Sequence, residues 1–375
     1  LSIPAHAIAL DTRLEGNFEQ LALNDLQLNL GASEVHGNLQ FGFDELTSIS
    51  GELNSSHLDL SWWLPEKSDQ PKSQPEPGAL VFDDTPVLRI EDYGVETDLR
   101  LRFDLVDLGN TEIKDIDLGV ALHPRLLRIE PMSLRGSTGG AISGRALVDG
   151  RRGTPEMNFD MQASDLRLGL AAVEGQSIDT YPETDINMTL TGRGFTRREL
   201  VSSLDGKIRI QAGPGKIGKT TASLFFSDFM TDLISKLNPF SETNEYTNYE
   251  CSVLAADVVS GVVALDPVIL NTEQLTILSD GTIDLNTEIV ELSFNTKPRK
   301  GLGISAGVII NPLIKVGGTL ATPAIELDPE RAMISSGLAV ATAGLSLVAK
   351  SVSNRFLSSK DPCGDALAEI AERDR

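Results

Sequence analysis

Between Asp98 and Leu105 every second residue is apolar: Leu99, Leu101, Phe103 and Leu105 alternate with Asp98, Arg100, Arg102 and Asp104. Successive side chains of a β-strand point to opposite faces, so a period of two predicts a strand with one apolar and one charged face. The pattern returns at Ile116, Leu118, Val120 and Leu122, at Met157, Phe159 and Met161, and at Ile186, Met188 and Leu190. It returns again at Val290, Leu292 and Phe294, set against Glu291, Ser293 and Asn295. Earlier in the chain Leu26, Leu28 and Leu30 alternate with polar neighbours, followed by strand-like runs at 35–43, 49–54 and 58–63. Gly136–Gly140 and Gly150–Gly153 read as turns. Asp280-Gly281 reads as a hairpin turn between two apolar runs.

These runs predict a mainly β protein: an elongated, curved antiparallel sheet or groove built from repeated strands, with a few helices near the C-terminus. The segment Asp25-Leu-Gln-Leu, Ile49-Ser-Gly, His57-Leu-Asp-Leu echoes Asp115-Ile-Asp-Leu, Ile142-Ser-Gly, Ser164-Asp-Leu-Arg-Leu. A loose duplication of this kind favours a repeat-built sheet over one closed barrel. The expected division is a first β segment at 1–64, a Pro-rich linker or loop at 65–85 and a second β segment at 86–212. A helix plus β module at 213–329 and C-terminal helices at 330–375 complete it. Pro65–Gly78 has no apolar residue beyond proline and glycine and cannot bury itself. Thr220–Leu237 has helical apolar spacing and is stopped by Pro239. Glu330–Leu357 and Asp365–Arg373 are the other expected helices.

The 375 residues carry 54 acidic against 32 basic side chains, a formal charge of −22. That field repels phosphate backbones and argues against nucleic-acid binding. The chain begins at Leu1 without a leader or apolar span, which reads as a fragment whose N-terminal anchor lies outside it. Of the two cysteines, Cys251 and Cys363, the reading depends on compartment: buried thiols in the cytosol, one disulfide tying the tail to the β module in an exported protein.

Three patterns invite a sharper chemistry. Gly213–Thr220 matches the P-loop spacing, with Lys219 as phosphate contact and Thr220 as magnesium ligand. The preceding strand alternates instead of running apolar, and a β meander follows, which argues against nucleotide binding. Ala332–Ala349 is free of charge for about 27 Å of helix, short of a ~30 Å hydrocarbon core; its small residues suit packing on the sheet or across a groove mouth, with membrane contact as the alternative. The four histidines (His6, His36, His57, His123) lie apart, and no metal or catalytic constellation appears. No cofactor is expected.

The order of motifs carries a family resemblance. Cys251 is followed by Gly261-Val-Val-Ala-Leu-Asp266, Leu270-Asn-Thr272, Gly281-Thr-Ile-Asp-Leu285 and the basic Lys297-Pro-Arg-Lys300. Val316-Gly-Gly-Thr-Leu-Ala-Thr-Pro-Ala-Ile-Glu-Leu-Asp328 closes the series, and Leu190–Lys207 precedes it. This succession resembles the C-terminal region of the AsmA family of bacterial envelope proteins, best from about Asp115 onward. At Gly213–Thr220 the resemblance implies a turn before a helix. The resemblance implies a non-enzymatic periplasmic protein of a Gram-negative bacterium, anchored to the inner membrane, similar to bridge-like lipid-transfer proteins. It implies phospholipid moving toward the outer membrane along an apolar groove, in support of outer-membrane biogenesis. The residues listed above for the period-two runs, from Leu99 to Phe294, are the expected groove lining. The alternative is a scaffold for outer-membrane protein assembly, with envelope protein partners, a closed β core and no lipid.

Overall fold

In a computed structural model of the chain, the structure describes residues 8–61, 80–87, 94–109, 112–136, 139–167, 180–218, 246–273, 275–299, 314–327 and 355–375. The fold is mainly β with few helices, as the alternation predicts. Two compact units divide the chain: Leu1–Gln74, Asp84–Leu166 and Met188–Ser203 form one, and Pro75–Asp83, Arg167–Asn187 and Leu204–Arg375 the other.

The first unit begins with β1 (Ile8–Gly16), β2 (Gln20–Leu30), β3 (Ser33–Phe43) and β4 (Thr47–Ser55), paired antiparallel in chain order. A two-residue β5 (Leu58–Asp59) follows. Then β6 (Val95–Asp107) joins β4 in parallel, Thr47 opposite Val95 and Leu53 opposite Leu101. From there β7 (Glu112–His123), β8 (Leu126–Gly136), β9 (Ala141–Asp149) and β10 (Glu156–Arg167) continue antiparallel.

Three aspartates reset the apolar period. In β2 the apolar positions Leu21 and Leu23 are odd, whereas Leu26, Leu28 and Leu30 are even. The slip falls at Asp25, whose φ is 54°, where the register with β3 jumps from Leu23 to Leu26. Asp115 (φ 49°) does the same in β7, where the register with β8 jumps from Lys114 to Asp117. Asp165 (φ 52°) does so in β10, between Met157–Ala163 and Leu166. A bulge inserts one extra residue and reverses the faces beyond it, and Asp tolerates the left-handed backbone better than most residues. The residue after each Asp is buried: Leu26, Ile116 and Leu166. Beyond the bulges Val35, Leu58, Val106 and Ile116 form a buried cluster, with Leu28, Leu53, Phe103 and Ile113 packed against it.

In β11 (Glu183–Arg193) residues 183–187 belong to the second unit. A short α1 (Arg197–Ser202) follows, capped by the Thr196 hydroxyl, which accepts from Glu199 N, while Glu199 Oε2 accepts from Phe195 N at 2.7 Å. In the second unit β12 (Asp205–Ala212) and β13 (Gly215–Gly218) both pair with β14 (Tyr246–Val259). β15 (Val262–Thr272), β16 (Leu275–Asp284), β17 (Ile289–Pro298), β18 (Ile314–Gly318) and β19 (Pro323–Leu327) extend the antiparallel order. The chain ends in a helical turn at 355–358 and α2 (Pro362–Arg373), whose N-cap Asp361 accepts from Gly364 N.

Two expectations are corrected. Asp280-Gly281 is no hairpin turn; it lies inside β16, with Gly281 opposite both Leu265 and Leu292. Gly281 has φ 148°, and a Cβ there would stand 2.1 Å from the Glu291 carbonyl oxygen. Glycine serves here to let two strands approach, a use with the same sequence signal as a turn. In the described part of the P-loop look-alike the turn is confined to Gly213 and Pro214, between β12 and β13, and Gly215–Gly218 is a strand paired with Tyr246–Tyr249 along its length. Lys219, Thr220 and the expected helix Thr220–Leu237 lie outside the described residues, as do Pro65–Gly78, Ala332–Ala349 and most of Glu330–Leu357.

Candidate functional site: an apolar sheet face

Directly opposed residues on adjacent strands share a face. In the first unit this builds three apolar rows across the strands. One runs Leu14, Leu23, Leu39, Gly51, Leu99, Val120, Ile129, Ala146, Phe159. The next runs Leu26, Gly37, Leu53, Leu101, Leu118, Met132, Gly144, Met161 over the same ladders from β2 onward. The third runs Leu21, Phe41, Ile49, Thr97, Leu122, Leu127, Val148, Met157. Leu26 is buried and Leu14 exposed; the other row residues are half-buried. The opposite face is wet and charged. Arg100 Nη2 meets Asp117 Oδ2 at 2.6 Å, Arg102 Nη1 meets Glu52 Oε2 at 2.8 Å, and Arg145 Nε meets Asp160 Oδ2 at 2.8 Å. Such exposed pairs add ~0.2–1 kcal/mol each, so their role is to fix which face meets water.

The structure therefore brings together Leu99, Leu101, Phe103, Ile116, Leu118, Val120, Leu122, Met157, Phe159 and Met161 of the expected lining. Leu105 stands opposite Lys114, past the Asp115 bulge, and the buried cluster takes Val106, opposite Ile113. Ile186, Met188 and Leu190 are half-buried in β11. Val290, Leu292 and Phe294 belong to a separate cluster in the second unit, with Leu275, Ile277, Ile314 and Val316. Sequence reasoning missed Leu39, Leu53, Ile129 and Val148; their alternating neighbourhoods carry the signal, and cross-strand register makes it a row.

The second unit treats its other face differently. Val253, Ala255, Ile269 and Leu278 pack under Phe356, Leu357, Ala366 and Ile370, with Val253 at 2 % and Ile269 at 1 % exposure. Cys251 and Cys363 are joined by a disulfide, their Cα atoms 6.5 Å apart. Lys297 Nζ donates to the Leu357 carbonyl at 2.7 Å. At the far end of α2, Asp374 accepts from Lys207 Nζ at 2.7 Å and from Arg209 Nε at 3.0 Å. Arg209 also reaches Asp257 at 2.6 Å. The Arg209 hydrogen bond, helped by Lys207 against the desolvation of a partly buried group, holds the Asp374 carboxyl well below the usual carboxylate range. Burial opposes the charge of Arg209, and its bonds to Asp374 and Asp257 outweigh that and raise its pKa. Glu288, 1 % exposed, accepts from the Val81 and Phe82 amides at 2.7 and 2.8 Å, so a buried carboxylate is matched by two backbone donors.

Among the described residues no group of three metal-ligating side chains is found, and no helix is long and apolar enough to cross a membrane. No protein-family model, curated protein or solved structure matches the chain.

Proposed function

We propose that the chain is a non-enzymatic envelope protein that binds and conducts phospholipid, acyl chains lying on the apolar face of the first unit. The supporting observation is the set of three rows, apolar but for Thr97, Gly37, Gly51 and Gly144, half-buried across the strands and backed by a face of ion pairs. An acyl chain laid on such a row exchanges water for apolar contact at ~0.8 kcal/mol per buried CH₂. Charged headgroups would stay at the sheet margin, where water remains. The AsmA-like motif order supports a periplasmic setting between inner and outer membrane, with an inner-membrane anchor and a part in outer-membrane biogenesis.

Native mass spectrometry of gently purified protein, with extraction of the bound fraction, tests this reading. The expected result is co-purifying phospholipid that falls at least fivefold in a folded Leu101→Asp, Leu118→Asp variant. Equal lipid in wild type and variant would defeat the reading. A lipid-free wild type would favour the scaffold alternative, which the covered face of the second unit supports.

A further inference from the structure

The three rows run alongside a margin of hairpin tips, and one corner of that margin does not belong to the lipid reading. The β1–β2 tip at 17–19 and the β3–β4 tip at 44–46 are neighbours, joined by the bond from Phe43 N to the Glu19 carbonyl at 2.8 Å. They present Phe18 at 102 %, Phe43 at 47 % and Leu46 at 38 % exposure. Isolated exposed apolar residues are ordinary, but two large rings and a leucine on adjacent tips form a patch that marks an interaction site.

The backbone of the β1–β2 tip is pinned locally. Asn17 Oδ1 accepts from the Glu19 and Gln20 amides at 2.8 and 3.0 Å, and Asn17 N donates to the Gln20 carbonyl at 2.8 Å. That backbone therefore needs no further ordering when a partner arrives.

The electrostatics of the patch select among occupants. Glu19, Asp44 and Glu45 flank the three apolar side chains, and among the described residues none of them is in an ion pair. The nearest cation along the strand, Arg13, is engaged by Asp25 at 2.8 Å. Three carboxylates on a chain of formal charge −22 repel an anionic bilayer and a second copy of the chain alike. They complement a cation.

We infer that the corner formed by Phe18, Phe43 and Leu46 with Glu19, Asp44 and Glu45 docks a cationic amphipathic segment of a partner protein. The two rings and Leu46 take its apolar side chains, and the carboxylates take its Lys or Arg residues. Electrostatic attraction would set the association rate and the salt dependence, and the rings would set the lifetime of the complex. The inference is independent of lipid conduction and is read without lipid.

The test is fluorescence anisotropy of a labelled synthetic Lys/Leu amphipathic helix titrated with the whole chain. Controls are a Lys/Ser peptide of equal charge and anionic phosphatidylglycerol vesicles. The expected result is binding of the Lys/Leu helix at least tenfold tighter than the Lys/Ser peptide. That preference should vanish in Phe18→Ser, Phe43→Ser, Leu46→Ser, while Phe195→Ser, an exposed ring elsewhere in the unit, retains it. Charge reversal at the tips (Glu19→Lys, Asp44→Lys, Glu45→Lys), remote from any core, should also abolish binding. The inference is overturned if either triple variant binds as wild type, if Phe195→Ser loses as much, if both peptides bind equally, or if the corner binds vesicles or a second copy instead.

Discussion

The β6–β10 ladder alternates apolar with polar residues, whereas β14–β16 carry near-continuous apolar runs (Val253-Leu-Ala-Ala, Val268-Ile-Leu, Ile277-Leu), and the two ladders end in different states. Leu101 and Leu118 stay half-buried on their face, whereas Ile269 and Leu278 reach 1 % and 3 % exposure. The second unit's strands offer apolar side chains to both faces, Ile277 to one cluster and Leu278 to the other, and the burial of the extra face needs something outside the strands. It is a cover: Phe356, Leu357, Ala366 and Ile370, drawn from the end of the chain and tied down by Cys363 to Cys251 across 112 residues. Alternation specifies that a face is apolar, and a distant segment decides whether that face becomes a core.

The comparison can be broken by removing the tie. Replacing both cysteines (Cys251→Ala, Cys363→Ala) should lower the stability of the second unit by about 4–5 kcal/mol on the chain-entropy estimate for so long a loop. The first unit should be unaffected. Amide exchange at Val106 and Ile116, in the first unit's buried cluster, follows that unit's urea transition. Amide exchange at Val253 and Ile269 follows the second. A matching shift in both would show that the two faces are not governed separately.

Truncation sharpens the contrast next. Phe356→Ala should cost about 3–5 kcal/mol, because it empties a fully enclosed site. Leu101→Ala should cost about 1 kcal/mol, since that side chain is only partly enclosed. Equal losses in urea unfolding would mean that the first unit's rows are as enclosed as the second unit's core.

The smallest effect is electrostatic. The folded state holds Asp374 below its ordinary carboxylate pKa, so the ionised form is favoured on folding. The contribution to docking α2 is then complete above an unfolded value of ~4 and is lost as pH falls through the lower folded value. Because the side chain remains 29 % exposed, its magnitude belongs in the ~0.2–1 kcal/mol range of solvated pairs. Exchange protection of α2 should decline on acidification below about pH 4, and Asp374→Asn should start lower and flatten the decline. An unchanged slope in that variant would assign the effect to other carboxylates.

Most strands were legible because period two survives locally. Where the period slipped, the reading of β7 was incomplete: Ile113 and Val106 join the buried cluster only because Asp115 adopts a left-handed backbone, and no side-chain pattern announces that. The echo between Asp25 and Asp115 was visible as letters, and its meaning, a bulge that reverses the faces, needed the register. Asp280-Gly281 misled because close strand approach and a tight turn call for the same residue. The short α1 was missed, although Thr196 and Glu199 form a capping pair at the required spacing. Within the candidate site, the strand patterns identified Leu99, Leu101 and Leu118, while the parallel joint between β4 and β6 was beyond sequence reasoning. It is that joint which carries the rows on to Leu53, Leu39 and Leu23.

Cross-strand rows also make the face a graduated ruler. Neighbouring strands are spaced ~4.8 Å apart, so a hairpin inserted in the ladder lengthens every row by roughly 10 Å and leaves face, register and chemistry unchanged. The echoed segments around Asp25 and Asp115 are marks on that scale, and reach along the sheet could be lengthened or shortened by duplicating or deleting whole hairpins.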